Sequence, residues 1–156
     1  MINQDRLRTL ARELGVEGEA VTFLPYQDLD TLPYSLTSGD VSVVTVSEGM
    51  KGVCVSSKLY TAMAAGQPVL VIAQSDDDES RIVTAYDAGM QVAQGDVRGV
   101  VDAIDEWRSD PELLEEQGRN AREALEEHFT ESQCIDDYYR LLAGESATSR
   151  REPTAQ

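Results

Sequence analysis

The residues best suited to chemistry lie in three short loops, each placed between a β-type apolar run and a helix-type run. Pro25-Tyr26 follows VTFL, the stretch Ser47–Ser57 follows VSVVTV, and Gln74–Ser80 follows PVLVIA. In open parallel α/β sheets, ligands sit beyond the carboxyl ends of the strands and beside helix amino termini. The middle loop carries the clearest signal. Ser56-Ser57-Lys58 opens a helix whose first-turn amides lack partners inside the helix and carry partial positive charge. A hydroxyl and a lysine at such a terminus suit a diphosphate. Lys51 and Lys58 are the only lysines in the chain, which gives Lys58 added weight. An ordinary N-cap at Ser57 with a solvated Lys58 accounts for the same residues. Residue types alone leave both readings open.

The elements that must position these loops alternate between strand and helix. Asp5–Leu14 sets Leu7, Leu10, Ala11 and Leu14 at helical spacing, with Gly15 as a stop. Val21–Leu24 reads as a short strand. Asp28–Ser38 reads as a weak helix that Pro33 keeps bent or short. Val41–Val46 and Pro68–Ala73 are nearly continuous in apolar residues, as strands buried on both faces are. Between them lies the helix of SKLYTAMAAG, ended by Gly66, in which Tyr60, Met63 and Ala64 read as core positions. ESRIVTAYDAG is the next helix and Met90–Ala93 a further strand. Three helices follow: Val97–Trp107, Pro111–His128 with Asp110 as its N-cap, and Glu131–Leu142. This order predicts an α/β fold with a parallel sheet of the Rossmann type. No glycine-rich dinucleotide or P-loop motif is present.

Charge excludes several partner classes. The 156 residues include 29 acidic and 13 basic side chains, a formal net charge of −16. Such a surface repels nucleic acid and anionic membranes. It also repels itself, unless salt shortens the Debye length to roughly 3 Å, as at molar ionic strength. The acids are spread over the predicted helices other than SKLYTAMAAG, which fits a high-salt cytoplasm better than an acidic tail. Cys54 and Cys134 are far apart and His128 is the only histidine, so clustered zinc ligands are absent and free thiols are expected. No apolar run has the length of a membrane span and no signal-peptide pattern opens the chain, so a soluble, cytoplasmic protein is expected.

Ser57 to Val69, SKLYTAMAAGQPV, resembles the SKxxxxxAAGxPV segment of family 4 and related GT-B glycosyltransferases. VTFLPY, SGDVSVVTVSEG, ESRIVTAYDAGMQVAQGD and DPELLEEQGRNAREALEEHFT resemble the flanking pieces in the same order, covering about residues 5 to 142. The resemblance implies a partial Rossmann-like parallel sheet, the C-terminal domain of a GT-B fold, with C-terminal helices. On this reading residues 1–143 form the domain and 144–156 a disordered tail. It implies glycosyl transfer from a nucleotide-diphosphate sugar, usually without a metal ion and with no cofactor. Pro25 and Tyr26 would lie near the base, and Ser57 and Lys58 near the diphosphate. Glu79 and Ser80 would meet sugar or ribose hydroxyls, although Glu79 equally suits a first-turn carboxylate that complements its own helix.

Two departures accompany the resemblance. Many members carry a Glu-x7-Glu pair, whereas here Val53 and Thr61 hold those places. Thr61 retains a hydroxyl, and Glu48 is the candidate to replace the first acid. The family's domain also begins with two strands ahead of a helix like Asp5–Leu14. Without them VTFL has no neighbour, and the chain is expected to be unstable alone or docked on a partner that supplies them, such as the N-terminal glycosyltransferase half. A non-catalytic nucleotide-sugar-binding or partner-docking module is the alternative function. An epimerase on the same scaffold would need several histidines and acids in the cleft, and His128 stands alone in a late helix.

Overall fold

The computed structural model describes residues 4–47, 49 and 56–144, and the chain divides into two units, Met1–Ser35 and Leu36–Gln156. Glu48, Val53, Cys54 and the tail from 145 onward, all named above, lie outside the described residues.

The first unit is built on α1 (Gln4–Glu13), with Gly15 in the left-handed region (φ 68°) directly behind it. Arg12 bonds Glu17 at 2.6 Å, while Arg8 lies 3.6 Å from Glu17 and 4.9 Å from the Phe23 ring centroid. The leucines expected on an apolar face of α1 stay exposed, and only Ala11 is buried. Val21–Leu24 does not form the expected strand. Val21 makes one isolated parallel bridge to Glu17, and residues 22–27 have no regular structure. A β-run needs a neighbour for its backbone groups, and among the described residues only the single bridge to Glu17 supplies one. The weak helix shrinks to α2 (Leu32–Leu36), which straddles the boundary between the units. Pro33 falls in its first turn, where a missing N–H costs nothing.

The second unit holds a three-stranded parallel sheet in the order β1 (Ser42–Thr45), β2 (Val69–Ile72), β3 (Gly89–Val92). The register pairs Ser42 with Val69 and Val69 with Gly89. The crossover helices are α3 (Ser57–Ala64) and α4 (Asp78–Ala85), followed by α5 (Val97–Ser109), α6 (Pro111–His128) and α7 (Glu131–Leu142). One face of the sheet, through Val44, Val69, Val71 and Ala73, packs on Leu59, Met63, Val83, Ala121 and Ala124 of α3, α4 and α6. The other, through Leu70, Ile72 and Val92, packs on Ala103 and Trp107 of α5 and on Leu113 and Leu114 of α6. Covered faces on both sides explain why β2 is continuously apolar. At β1 this second cover runs out: Val43 is 56% exposed.

Two glycines set close approaches. Gly89 has φ 146°, and a Cβ there would lie 2.1 Å from the Val69 carbonyl oxygen. A Cβ on Gly118 would lie 2.5 Å from the Gly66 oxygen, where α6 meets the end of α3. Asp110 caps α6 by accepting from the Leu113 amide at 3.1 Å, and Pro111 occupies the first turn as expected. Asp96 likewise accepts from the Gly99 amide at 2.9 Å at the start of α5. The only tryptophan, Trp107, is buried and donates to Gln117 at 2.8 Å; Gln117 in turn donates to Asp87 at 2.9 Å. Cys134 is a free, half-buried thiol.

Candidate functional site

The carboxyl ends of the strands carry a set of side-chain amides. Gln94, after β3, donates to the Val46 carbonyl at the end of β1. Gln74, after β2, donates to the Gln94 side-chain oxygen at 3.1 Å. Gln91, within β3, donates to the Ala73 carbonyl at 2.8 Å. Gln91 and Gln94 escaped the sequence reading, which named Gln74 only as the start of a loop. Gln74 and Gln94 each follow an apolar run, where a solvated polar residue also belongs, and Gln91 lies inside one.

Next to this rim stands the amino terminus of α3. The helix begins at Ser57 as expected, but Ser56 and not Ser57 is the N-cap, with extended dihedrals (φ −72°, ψ 117°). Ser56 makes no side-chain cap bond. Its carbonyl accepts from the Leu59 amide at 3.1 Å, and its own amide donates to Glu79 Oε1 at 2.6 Å. Among the described residues, no acceptor meets the backbone amides of Ser57 and Lys58. Both residues are exposed. Thr61 lies one turn further on, half-buried, its hydroxyl donating to the Ser57 carbonyl at 3.0 Å. Met63 is fully buried, and Tyr60 packs on Phe129 with ring centroids 5.3 Å apart; both belong to the core, as expected.

The amino terminus of α4 forms the wall behind that turn. Asp77 is its N-cap but makes no cap bond to its own helix; its carboxylate accepts from the Gln74 amide at 2.9 Å. Glu79 is 2% exposed and Ser80 1%, and the Ser80 hydroxyl has no hydrogen-bond partner among the described residues. Pro25 and Tyr26 lie in the first unit, in a stretch without regular structure, and both are exposed. Gln27 donates to the Pro25 carbonyl at 2.9 Å.

Clefts open on the described residues of the second unit. One of about 630 Å³ lies at the carboxyl end of β3, lined by Gln74, Gln91, Ala93 and the acids Asp96, Asp102 and Glu106. Another, about 650 Å³, lies at the amino ends of β1 and β2 beside Gln67, Gly118 and Arg122, the end of a parallel sheet that ligands do not use. No group of three or more potential metal ligands occurs among the described residues, and no helix there is long and apolar enough to cross a membrane.

Residues 3–124 match the family described as Glycosyl transferases group 1. The chain belongs to this family. A probable glycosyltransferase of Pseudomonas aeruginosa, WbjE, is 33% identical over 106 residues, which are 67% of this chain and 26% of that protein. The matched stretch therefore spans about a quarter of the length of that relative. For this group 1 glycosyl transferase chain, the α/β fold with a three-stranded parallel sheet is that of a Rossmann-like C-terminal half of a GT-B fold. Ser57, Lys58, Glu79 and Ser80 come from the first turns of two consecutive crossover helices of that sheet, and Thr61 from the second turn of the first of them.

Proposed function

We propose that this chain binds the nucleotide-diphosphate sugar donor of a glycosyltransferase, with the first turn of α3 as the diphosphate site. The observation that carries the reading is the exposed Ser57-Lys58 turn at the carboxyl end of the parallel sheet, its two amides meeting no acceptor among the described residues. As the bond between the anomeric carbon and the diphosphate oxygen breaks, negative charge grows on the leaving group. Helix amides and the Lys58 ammonium placed there offset that charge without reorganising, and each such donor contributes about 2–4 kcal/mol. The glycosyl group passes to an acceptor hydroxyl, and acceptor recognition falls to the part of the enzyme outside the matched quarter. Thr61 and Ser80 are proposed hydroxyl contacts and Glu48 a proposed acid. Calorimetric titration of the full chain with UDP and GDP in molar KCl tests this. Binding of either, weakened in Lys58→Ala, supports the reading, and no binding of either counts against it.

A second reading is favoured by Val53 and Thr61, which stand where the resembled enzymes carry two glutamates. The chain would then be a non-catalytic module that holds a nucleotide sugar or docks on a partner. Transfer of a labelled sugar after coexpression with a matching N-terminal half separates the two: restored transfer supports the enzyme, and binding without transfer supports the module.

A further inference from the structure

We propose that Glu79 is a positioning residue for the donor site: through the Ser56 amide it orients the first turn of α3, and its charge lowers that turn's affinity for a diphosphate. The proposal rests on the donor-binding reading of the Ser57-Lys58 turn and goes beyond it, since it assigns Glu79 no contact with sugar.

The geometry carries the first half. Glu79 belongs to α4, yet its Oε1 accepts from the Ser56 amide at 2.6 Å, 23 positions away and on a different helix. Ser56 has no cap bond of its own, so the cap of α3 is supplied from outside. A short bond to a carboxylate is stronger than a neutral one and fixes the N-cap in place. Electrostatics carries the second half. The same helix end that attracts a diphosphate is already occupied by a carboxylate only 2% exposed, where water and salt screen it poorly. An incoming diphosphate gains the amides and Lys58 but meets this fixed negative charge.

Orientation and repulsion make opposite demands on one side chain, and two substitutions separate them. Glu79→Gln keeps an oxygen acceptor and removes the charge. Glu79→Ala removes both. A role in folding alone would leave the affinity of each folded variant unchanged.

The experiment titrates the full-length wild type and both variants with UDP and with GDP in molar KCl, with Trp107 emission checking that each chain is folded. In parallel, ¹H–¹⁵N spectra follow the Ser56 amide. The expected result is that Glu79→Gln binds about three- to tenfold more tightly than wild type, the size of one like charge removed at several ångströms. Glu79→Ala should bind more weakly than wild type, with its Ser56 amide moved upfield. Binding that appears only in Glu79→Gln also supports the proposal. Equal or weaker binding by Glu79→Gln, or an unmoved Ser56 amide in folded Glu79→Ala, overturns it. Failure of all three chains to bind overturns the donor-site reading itself and takes the affinity half of this proposal with it.

Discussion

The side-chain amide of Gln94 donates to the backbone carbonyl of Val46, 48 positions earlier in the chain. The two residues lie at the ends of β3 and β1, so the bond crosses the end of the central strand, and Gln74 from that strand orients the Gln94 amide. Gln94→Leu leaves the Val46 carbonyl without this donor and is expected to cost about 1–2 kcal/mol. Gln94→Glu should cost more, because it turns an acceptor toward an acceptor. Urea unfolding followed by Trp107 emission reads both.

Gly89 begins β3 with its backbone pressed against Val69. A methyl group at 2.1 Å from the Val69 oxygen cannot be accommodated without separating β2 from β3. Gly89→Ala is expected to cost about 3 kcal/mol or more. Gly15 also has positive φ, but open space surrounds it, so Gly15→Ala should cost only about 1 kcal/mol. Similar midpoints for the two variants would show that φ alone sets the cost.

Lys58 is exposed, so its removal should leave the unfolding midpoint unchanged. If it neutralises a diphosphate, Lys58→Ala weakens UDP or GDP binding about tenfold, the size of one charge-assisted contact. Equal affinity of wild type and variant would remove Lys58 from the site.

Asp87 sits behind α4 in the left-handed region (φ 46°) and accepts from Gln117, which accepts from Trp107. Asparagine tolerates that backbone and offers the same oxygen, so Asp87→Asn should be nearly neutral. Asp87→Ala strains the backbone and leaves the Gln117 amide unpaired, an expected loss of about 1–3 kcal/mol. The emission of Trp107, the sole tryptophan, reports the change directly.

Salt should stabilise this protein. Most ion pairs among the described residues are exposed, such as Arg98–Asp102 with side chains 84% and 57% accessible, and such pairs contribute little. The formal charge of −16 makes repulsion the larger effect, and salt screens it. The melting temperature is expected to rise from dilute buffer to molar KCl. A fall would mean that the surface pairs outweigh the repulsion.

The sequence by itself determined what depends on near neighbours along the chain. Asp110 and Pro111 start α6 where the capping pattern puts it, and α6 and α7 run over the residues that periodicity predicts. β1, β2 and β3 fall within or beside their apolar runs, because a strand covered on both faces must be apolar at successive positions. Tertiary structure decided what depends on distant partners. VTFL has strand composition, but a strand is a relation between two segments, and only one bridge forms. Glu79 looks locally like a carboxylate serving its own helix, yet its partner is the Ser56 amide of another. Gln94 shows no local sign of its bond to Val46, since nothing short of the folded sheet brings the two together. Caps and periodicity are written within a turn or two of chain, whereas a hydrogen bond between elements exists only after the sheet has set their separation.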